Sequence, residues 1–280
     1  MQIPEGWAAQ PLHERLAEED SGAATRVALI QVGQAQTGSY PALLFASNLD
    51  YYWCKWPGNP HGNQSLVHEL VVAGLGSLIG APTPEGVLIE VDAHLAASIR
   101  SADGTKARAG VWFGLGMVDG TERVAIQGQY RGQENRRRLA RYLALWELCL
   151  GGDAQFMYEE SRGHRMWSID HGLWFDGEQG PWERKQLPLL NAVGWADPPW
   201  VGSSKVDQEE LLAAADAVEG ITSSHLGDIL GNVPIGWAIP AEDLDALGEL
   251  VFDRRLLVAD RLRGRHDEQA SRRTRTRRVT

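Results

Sequence analysis

Cysteine is scarce: Cys54 and Cys149 are the only two in 280 residues. That is too few for a disulfide framework or a cysteine-based zinc site. Both thiols are expected to be small buried apolar groups in a reducing, cytoplasmic setting. No apolar run approaches the roughly 20 residues that span a bilayer. The start, Met1-Gln2-Ile3-Pro4-Glu5-Gly6-Trp7, lacks the basic residues and apolar centre of a signal peptide. No membrane partner is expected. There is no G-x-x-x-x-G-K-[ST] phosphate loop, no G-x-S-x-G elbow and no His or Cys pair at metal-ligand spacing. Phenylalanine is also rare, five against eleven tryptophans.

What is present is an ordinary globular composition, 43% hydrophobic and 23% charged, of a size for one large domain or two lobes. Net charge is -10, unevenly spread. Residues 261–280 carry eight Arg against Asp267 and Glu268, giving +6 there and -16 for the rest. An acidic body argues against a broad nucleic-acid face, which leaves nucleic acid only to the Arg-rich end. That end has too few apolar residues to build a core and is expected to be disordered, free to touch phosphates, acidic partners or its own acidic body.

The first two dozen residues form a polar leader. Ala24–Gln31 reads as a strand, and the stretch from Gly33 to Pro41 is turn chemistry. Ala42–Ser47 and Tyr51–Trp56 form a hairpin-like pair. Leu66, Val67, Leu70, Val71, Leu75, Leu78 and Ile79 make a helical stripe that Gly80 and Pro82 stop. Gly86–Val91 is a further strand. Asn135 is placed as the cap of a second long helix ending at Gly151-Gly152. Two short strands follow, Gln155–Tyr158 and Met166–Ile169, around a turn at 161–163. Asp207 and Glu210 open a helix by a capping box, and Pro240 opens the last one. A β-rich first part therefore precedes a helical second part, with the joint near Gly114–Gly120.

Lys55 lies within a β-prone run, and Glu69 on the helix that follows. A strand Lys paired to a helix Glu can hold phosphate oxygens; a Lys on a half-exposed strand can also be merely solvated. Gly38-Ser39 can present backbone N–H groups to phosphate or be an ordinary turn. Asp153 follows a helix end, and Asp170 closes the strand before His171-Gly172. Phosphoryl transfer uses such a pair, one carboxylate for the acceptor hydroxyl and one for Mg²⁺. Two turn aspartates would look the same.

Taken in order, Gly38-Ser39-Tyr40-Pro41, Tyr52-Trp53-Cys54-Lys55-Trp56, Gly58-Asn59-Pro60-His61-Gly62, Leu66-Val67-His68-Glu69-Leu70 and Gly80-Ala81-Pro82-Thr83-Pro84 resemble the motif series of HipA-like kinases. Gly152-Asp153 and Ile169-Asp170-His171-Gly172 resemble that family's later elements. The resemblance implies an α+β, two-lobed protein-kinase-like fold binding ATP and Mg²⁺ between lobes. The expected organisation is a leader over 1–23, a nucleotide-binding lobe over 24–117, a helical lobe with the catalytic loop over 118–265 and a basic disordered tail over 266–280. Gly38 and Ser39 would lie at the phosphates. Lys55 would contact them and pair with Glu69; Asp153 would be the catalytic base and Asp170 a metal ligand. The implied partners are a protein substrate and an antitoxin-like protein. Two positions depart from kinase practice. Tyr158 stands where a second metal-binding Asn is expected, which leaves Gln155 as the nearest substitute, and Ala154 replaces the basic residue after the catalytic Asp. An active Ser/Thr kinase and a nucleotide- or partner-binding pseudokinase are therefore the two expectations.

Overall fold

A computed structural model describes residues 25–36, 38–122, 132–175, 182–198 and 206–279, with 121–122 and 268–279 described by backbone alone. The polar leader lies outside these residues. The fold is α+β, a β-rich N-terminal part followed by a helical C-terminal part. Five strands close into a barrel in the order β1-β2-β3-β5-β4: β1 (Arg26–Gln34), β2 (Ala42–Ala46), β3 (Tyr51–Lys55), β4 (Gly86–Val91) and β5 (Gly110–Gly116). All neighbours are antiparallel except β1 and β4, which meet in parallel at Arg26 and Val27. The strands alternate as a barrel requires. Leu44, Tyr52, Cys54, Ile89 and Trp112 face inward and are buried. Strand β5 was not among the elements read from sequence, because its glycines interrupt the apolar pattern. Gly114 is needed there, since a Cβ would come within 2.8 Å of the Ile89 side chain.

Helix α1 (Gln64–Ile79) lies between β3 and β4 in sequence but packs into the main, helical core. Gly80 ends it as expected, in the left-handed region at φ 70°, and the Ala81 N–H donates to the Gly76 carbonyl over 2.7 Å. A short helix α2 (Ala93–Ala97) starts on Asp92. Strands β6 (Thr121–Glu122), β7 (Gln155–Glu159) and β8 (Arg165–Ile169) form a second sheet. Helices α3 (Gln133–Leu148), α4 (Gln208–Glu219), α5 (Ser223–Leu230) and α6 (Ala241–Val279) complete the helical part.

The expected Asn135 cap is corrected: Gly132 is the N-cap and Asn135 is buried inside the first turn. Its side-chain nitrogen donates to the His164 carbonyl over 2.7 Å, and its oxygen accepts from the Met166 N–H over 2.9 Å. It therefore ties α3 to the β7–β8 turn instead of closing its own helix. Asp207 does cap α4, accepting from the Glu210 N–H, while the Glu210 carboxylate turns to Arg141. Helix α6 continues through Val279, into the segment expected to be a disordered tail. Near its start the basic run does meet the acidic body: Arg263 pairs with Asp216 and Glu219, and Arg265 with Asp197 and Glu147. Among the described residues no helix is long and apolar enough to cross a membrane.

Four of the eleven tryptophans share a use. Trp112, Trp146, Trp195 and Trp237 each donate their indole N–H to a backbone carbonyl 2.7–2.9 Å away. For Trp146, Trp195 and Trp237 that carbonyl lies on a distant segment. Phenylalanine offers a smaller ring and no donor. Cys54 and Cys149 are both buried, and burial pushes both thiols up.

Candidate active site

Lys55 ends β3, in register with Phe113 of β5. Alternation alone would leave it among exposed Tyr51 and Trp53. Instead it is buried, because two carboxylates meet it. The Lys55 ammonium contacts Glu69 Oε1 in a short ion pair, and lies 2.5 Å from Asp170 Oδ1. Glu69 comes from the middle of α1 and Asp170 from the residue after β8, so three separate elements converge. Burial opposes the charged form of Lys55, but the Glu69 and Asp170 carboxylates outweigh it and hold the ammonium's pKa above its ordinary value. Burial likewise opposes ionised Glu69, and Lys55 reverses that too, holding the carboxyl well below the usual range. Each charge is tolerated in the interior only because the others are there.

The loop carrying Asp170 approaches closely. A Cβ on Gly172 would sit 3.3 Å from Lys55 Nζ and 3.3 Å from the Ser65 Cβ. The Gly172 carbonyl accepts from Nδ1 of His68, the neighbour of Glu69 on α1, over 2.9 Å. Nε2 of the same ring accepts the Trp182 indole N–H over 2.7 Å. With both nitrogens committed, His68 is neutral, and burial pushes its pKa down to about 4. Asp170 itself has φ 55°, a left-handed conformation uncommon outside glycine but one that Asp tolerates better than most residues.

Asp153 arrives from the other side of the β7–β8 pair. Gln155 pairs with Ile169 in that ladder, which sets Asp153 and Asp170 at the same end of it. Asp153 has φ 41° and is exposed. The turn before it is clamped by aromatic rings. The Gly151 N–H donates to the Trp146 carbonyl, the Gly151 carbonyl accepts from the Trp195 indole over 2.7 Å, and a Cβ on Gly151 would come within 2.2 Å of the Trp146 ring. Arg254, wholly buried, closes the end of α3 by donating to the carbonyls of Glu147 and Leu148. Gln155 donates its side-chain N–H to Asp153 Oδ2 over 2.7 Å.

These groups share a cleft of about 440 Å³ between the barrel and the helical part. Of the residues singled out in the sequence, Gly38, Lys55, Glu69, Asp153, Gln155 and Asp170 all line it. Ser39 does not: it is buried beneath the turn, its Oγ without a partner among the described residues. Tyr158 lies in the hydrophobic core and Ala154 packs against it, so neither serves the cleft. His61 was not foreseen. It lines the cleft beside Gly38, its pKa lowered by burial and then by Lys55. The apolar wall from β5, Phe113 and Leu115, went unread with its strand. His171, given no role in the sequence, is a buried contact of Glu69.

The residues fit a nucleotide with a divalent cation. An ammonium and hard carboxylate oxygens stand beside an apolar wall in one cleft. Among the described residues no cluster of three or more His, Cys, Asp or Glu could hold a metal alone. Mg²⁺ bound by one or two carboxylates and completed by phosphates and water needs none.

A scan of protein-family models finds no match, and neither does a comparison with curated protein sequences. Solved structures do match. The proinflammatory kinase CtkA of Helicobacter pylori superposes with a TM-score of 0.53 at 12% identity, over 88% of this chain and 98% of that one. The Golgi casein kinase, in two structures of which one has Mn/ADP bound, gives TM-scores of only 0.38 and 0.39 at 10% identity. It covers 89% and 90% of this chain, and this chain covers 76% and 77% of its two structures. The likeness to CtkA establishes a two-lobed, kinase-like fold.

Proposed function

We propose that the chain is an ATP-dependent, HipA-like kinase that transfers the γ-phosphoryl group to a Ser or Thr hydroxyl of a protein. One observation carries this reading: Lys55 is held between Glu69 and Asp170 in a cleft that also receives Asp153. Bound ATP with Mg²⁺ would supply the transferable group and neutralise its charge. The chain's own residues have separable tasks. Lys55 binds phosphate oxygens, and Glu69 fixes the direction of the ammonium. Asp170 offers a carboxylate to the cation. Asp153 takes the proton of the acceptor hydroxyl, a role suited to its exposed position where a second protein can reach it. Gln155 orients that carboxylate, and its side-chain oxygen is the nearest substitute for the absent Asn as a second metal ligand. Gly38 brings backbone close to the phosphates.

The pseudokinase reading has one observation in its favour, the loss of the second metal residue to a core tyrosine, Tyr158. Transfer of radiolabelled γ-phosphate to the chain itself or to proteins of a lysate separates the two, run beside ATP binding by calorimetry. Binding with transfer that Lys55→Met abolishes supports the kinase. Binding without transfer supports the pseudokinase. Absence of ATP binding overturns the kinase and the nucleotide-binding pseudokinase, and leaves only a module that binds a partner.

A further inference from the structure

We propose that His171 is a positioning residue that latches Glu69 from beneath, so that the Lys55–Glu69 pair stays assembled when the lysine turns to a phosphate. The proposal deepens the nucleotide-binding role given to that pair and rests on it.

Glu69 has two carboxylate oxygens and only one is accounted for by Lys55. The other, Oε2, is buried and has no hydrogen-bond partner among the described residues. His171 Nδ1 is buried and unpartnered in the same way, and the two atoms lie 3.6 Å apart. A buried acceptor and a buried donor left unpaired would each carry the full cost of lost hydration. A shift of a few tenths of an ångström joins them. Neither atom has another hydrogen-bond partner among the described residues.

The chemistry fixes which nitrogen holds the proton. An ionised carboxylate only accepts, so Nδ1 must carry hydrogen to meet it. Nε2 is then the acceptor, and Ser168 Oγ lies 2.9 Å from it with a hydroxyl to donate. Ser168 is itself held through its backbone N–H, which donates to the Pro82 carbonyl just beyond α1 over 2.6 Å. In the chain Ser168–His171–Glu69–Lys55 every donor therefore faces an acceptor: Ser168 and His171 donate toward Glu69 from one side, and Lys55 donates to it from the other. An aromatic contact with Trp174, 4.6 Å between ring centres, keeps the imidazole plane in place. His171 also adjoins Asp170, so one short segment carries both the carboxylate offered to the cation and the latch on Glu69. In the absence of phosphate, Lys55 ties these elements together through both carboxylates. Once Lys55 and Asp170 engage a ligand, His171 is what still holds Glu69.

The test has two arms on the full-length chain. Nitrogen-15 NMR of the ligand-free protein reads the tautomer directly. The proposal requires a proton on Nδ1 of His171, and Ser168→Ala should weaken that preference. A His171 with hydrogen on Nε2 alone overturns the proposal, whether or not the chain binds ATP. The second arm measures ATP affinity by calorimetry. His171→Leu should weaken it by about 10–100-fold, the usual loss when the partner that orients a ligating group is removed. His171→Asn places an N–H near the Nδ1 position and should recover most of the loss. His171→Gln places its amide near Nε2 and should not. A packing role alone predicts the reverse order, since Gln is nearer in size to His, and that order would overturn the proposal even if His171→Leu fails to fold. Failure of the wild-type chain to bind ATP, with the Nδ1 tautomer intact, would count against the nucleotide reading and leave the latch standing.

Discussion

The two loops that bring carboxylates to the cleft are held by opposite means. Asp170 is placed by buried charge and hydrogen bonds: Lys55 on its oxygen, Glu69 behind the lysine, His68 on the Gly172 carbonyl. Asp153 is placed by close packing and by hydrogen bonds to backbone carbonyls: Gly151 lies against the Trp146 ring and accepts from the Trp195 indole, and Arg254 closes the preceding helix. The first arrangement couples position to protonation and to ligand. The second is held through backbone carbonyls and leaves its carboxylate exposed. A group that must bind a cation gains from being coupled to the rest of the site. A group that must meet a second protein gains from a rigid base and an open face.

The largest effect that separates the loops is on turnover. Asp153→Asn should lower kcat by roughly 10²–10⁴-fold, the usual worth of a general base, while ATP affinity stays within about twofold. Asp170→Asn should lose turnover and also metal-dependent nucleotide binding. Calorimetry with and without Mg²⁺ beside a phosphate-transfer assay reads both. If the two variants behave alike, the division of labour is wrong.

The next effect is on stability against pH. His68 stays neutral in the folded chain down to about 4, against an ordinary value of 6.5. Between those limits the unfolded chain takes up a proton that the folded chain refuses. Stability from this residue is thus complete above pH 6.5 and falls as pH drops, by about 3 kcal/mol near pH 4 at 1.36 kcal/mol per pKa unit. Glu69, whose carboxyl is held low, adds loss in the acid range below its ordinary value. Urea midpoints at several pH values measure this, and His68→Gln should flatten the upper part of the slope. An equal slope in that variant would put the acid sensitivity elsewhere.

Gly151→Ala probes the other loop. The added methyl group meets the Trp146 ring, so either the ring or the loop must move. Overpacking of this kind costs about 1–3 kcal/mol, and it should be independent of pH. A thermal shift that varies with pH as His68 does would mean that the two loops are not held separately.

The motif residues around the cleft were legible in the sequence only as an ordered series, because a strand lysine or a turn aspartate taken singly has common structural uses. Lys55, Glu69, Asp153 and Asp170 were singled out as candidates from strand, helix and turn placement and from the order of the motifs, and the lining of one cleft joins them. The helix stop at Gly80 and the cap at Asp207 were legible too, because both are local. What was missed depends on contacts far apart in sequence. Strand β5 carries three glycines and reads as a linker until Gly114 is seen against Ile89. Asn135 is a good cap by type, but its partners, His164 and Met166, lie some 30 residues on. His171 had no role in the sequence because Glu69 is brought to it only by folding. Ser39 fell in the right turn but on its buried side, and one residue of twist decides that.

The smallest effect concerns Gln155, which stands between the two loops. Its amide nitrogen donates to Asp153, while its strand partner Ile169 precedes Asp170. If its task is to orient the base, Gln155→Ala removes one hydrogen bond at a partly open site, worth about 1 kcal/mol. The expected outcome is a kcat reduced about fivefold, with ATP affinity and the Mg²⁺ dependence unchanged. If instead its side-chain oxygen completes the cation's shell, the same variant should raise the Mg²⁺ concentration needed for half-maximal rate. Gln155→Glu then sharpens the answer. A second carboxylate beside Asp153 removes the donor and adds repulsion, so an orienting role predicts a slower enzyme. A metal role predicts a lower Mg²⁺ requirement. A magnesium titration of the two variants therefore assigns Gln155 to one loop or the other.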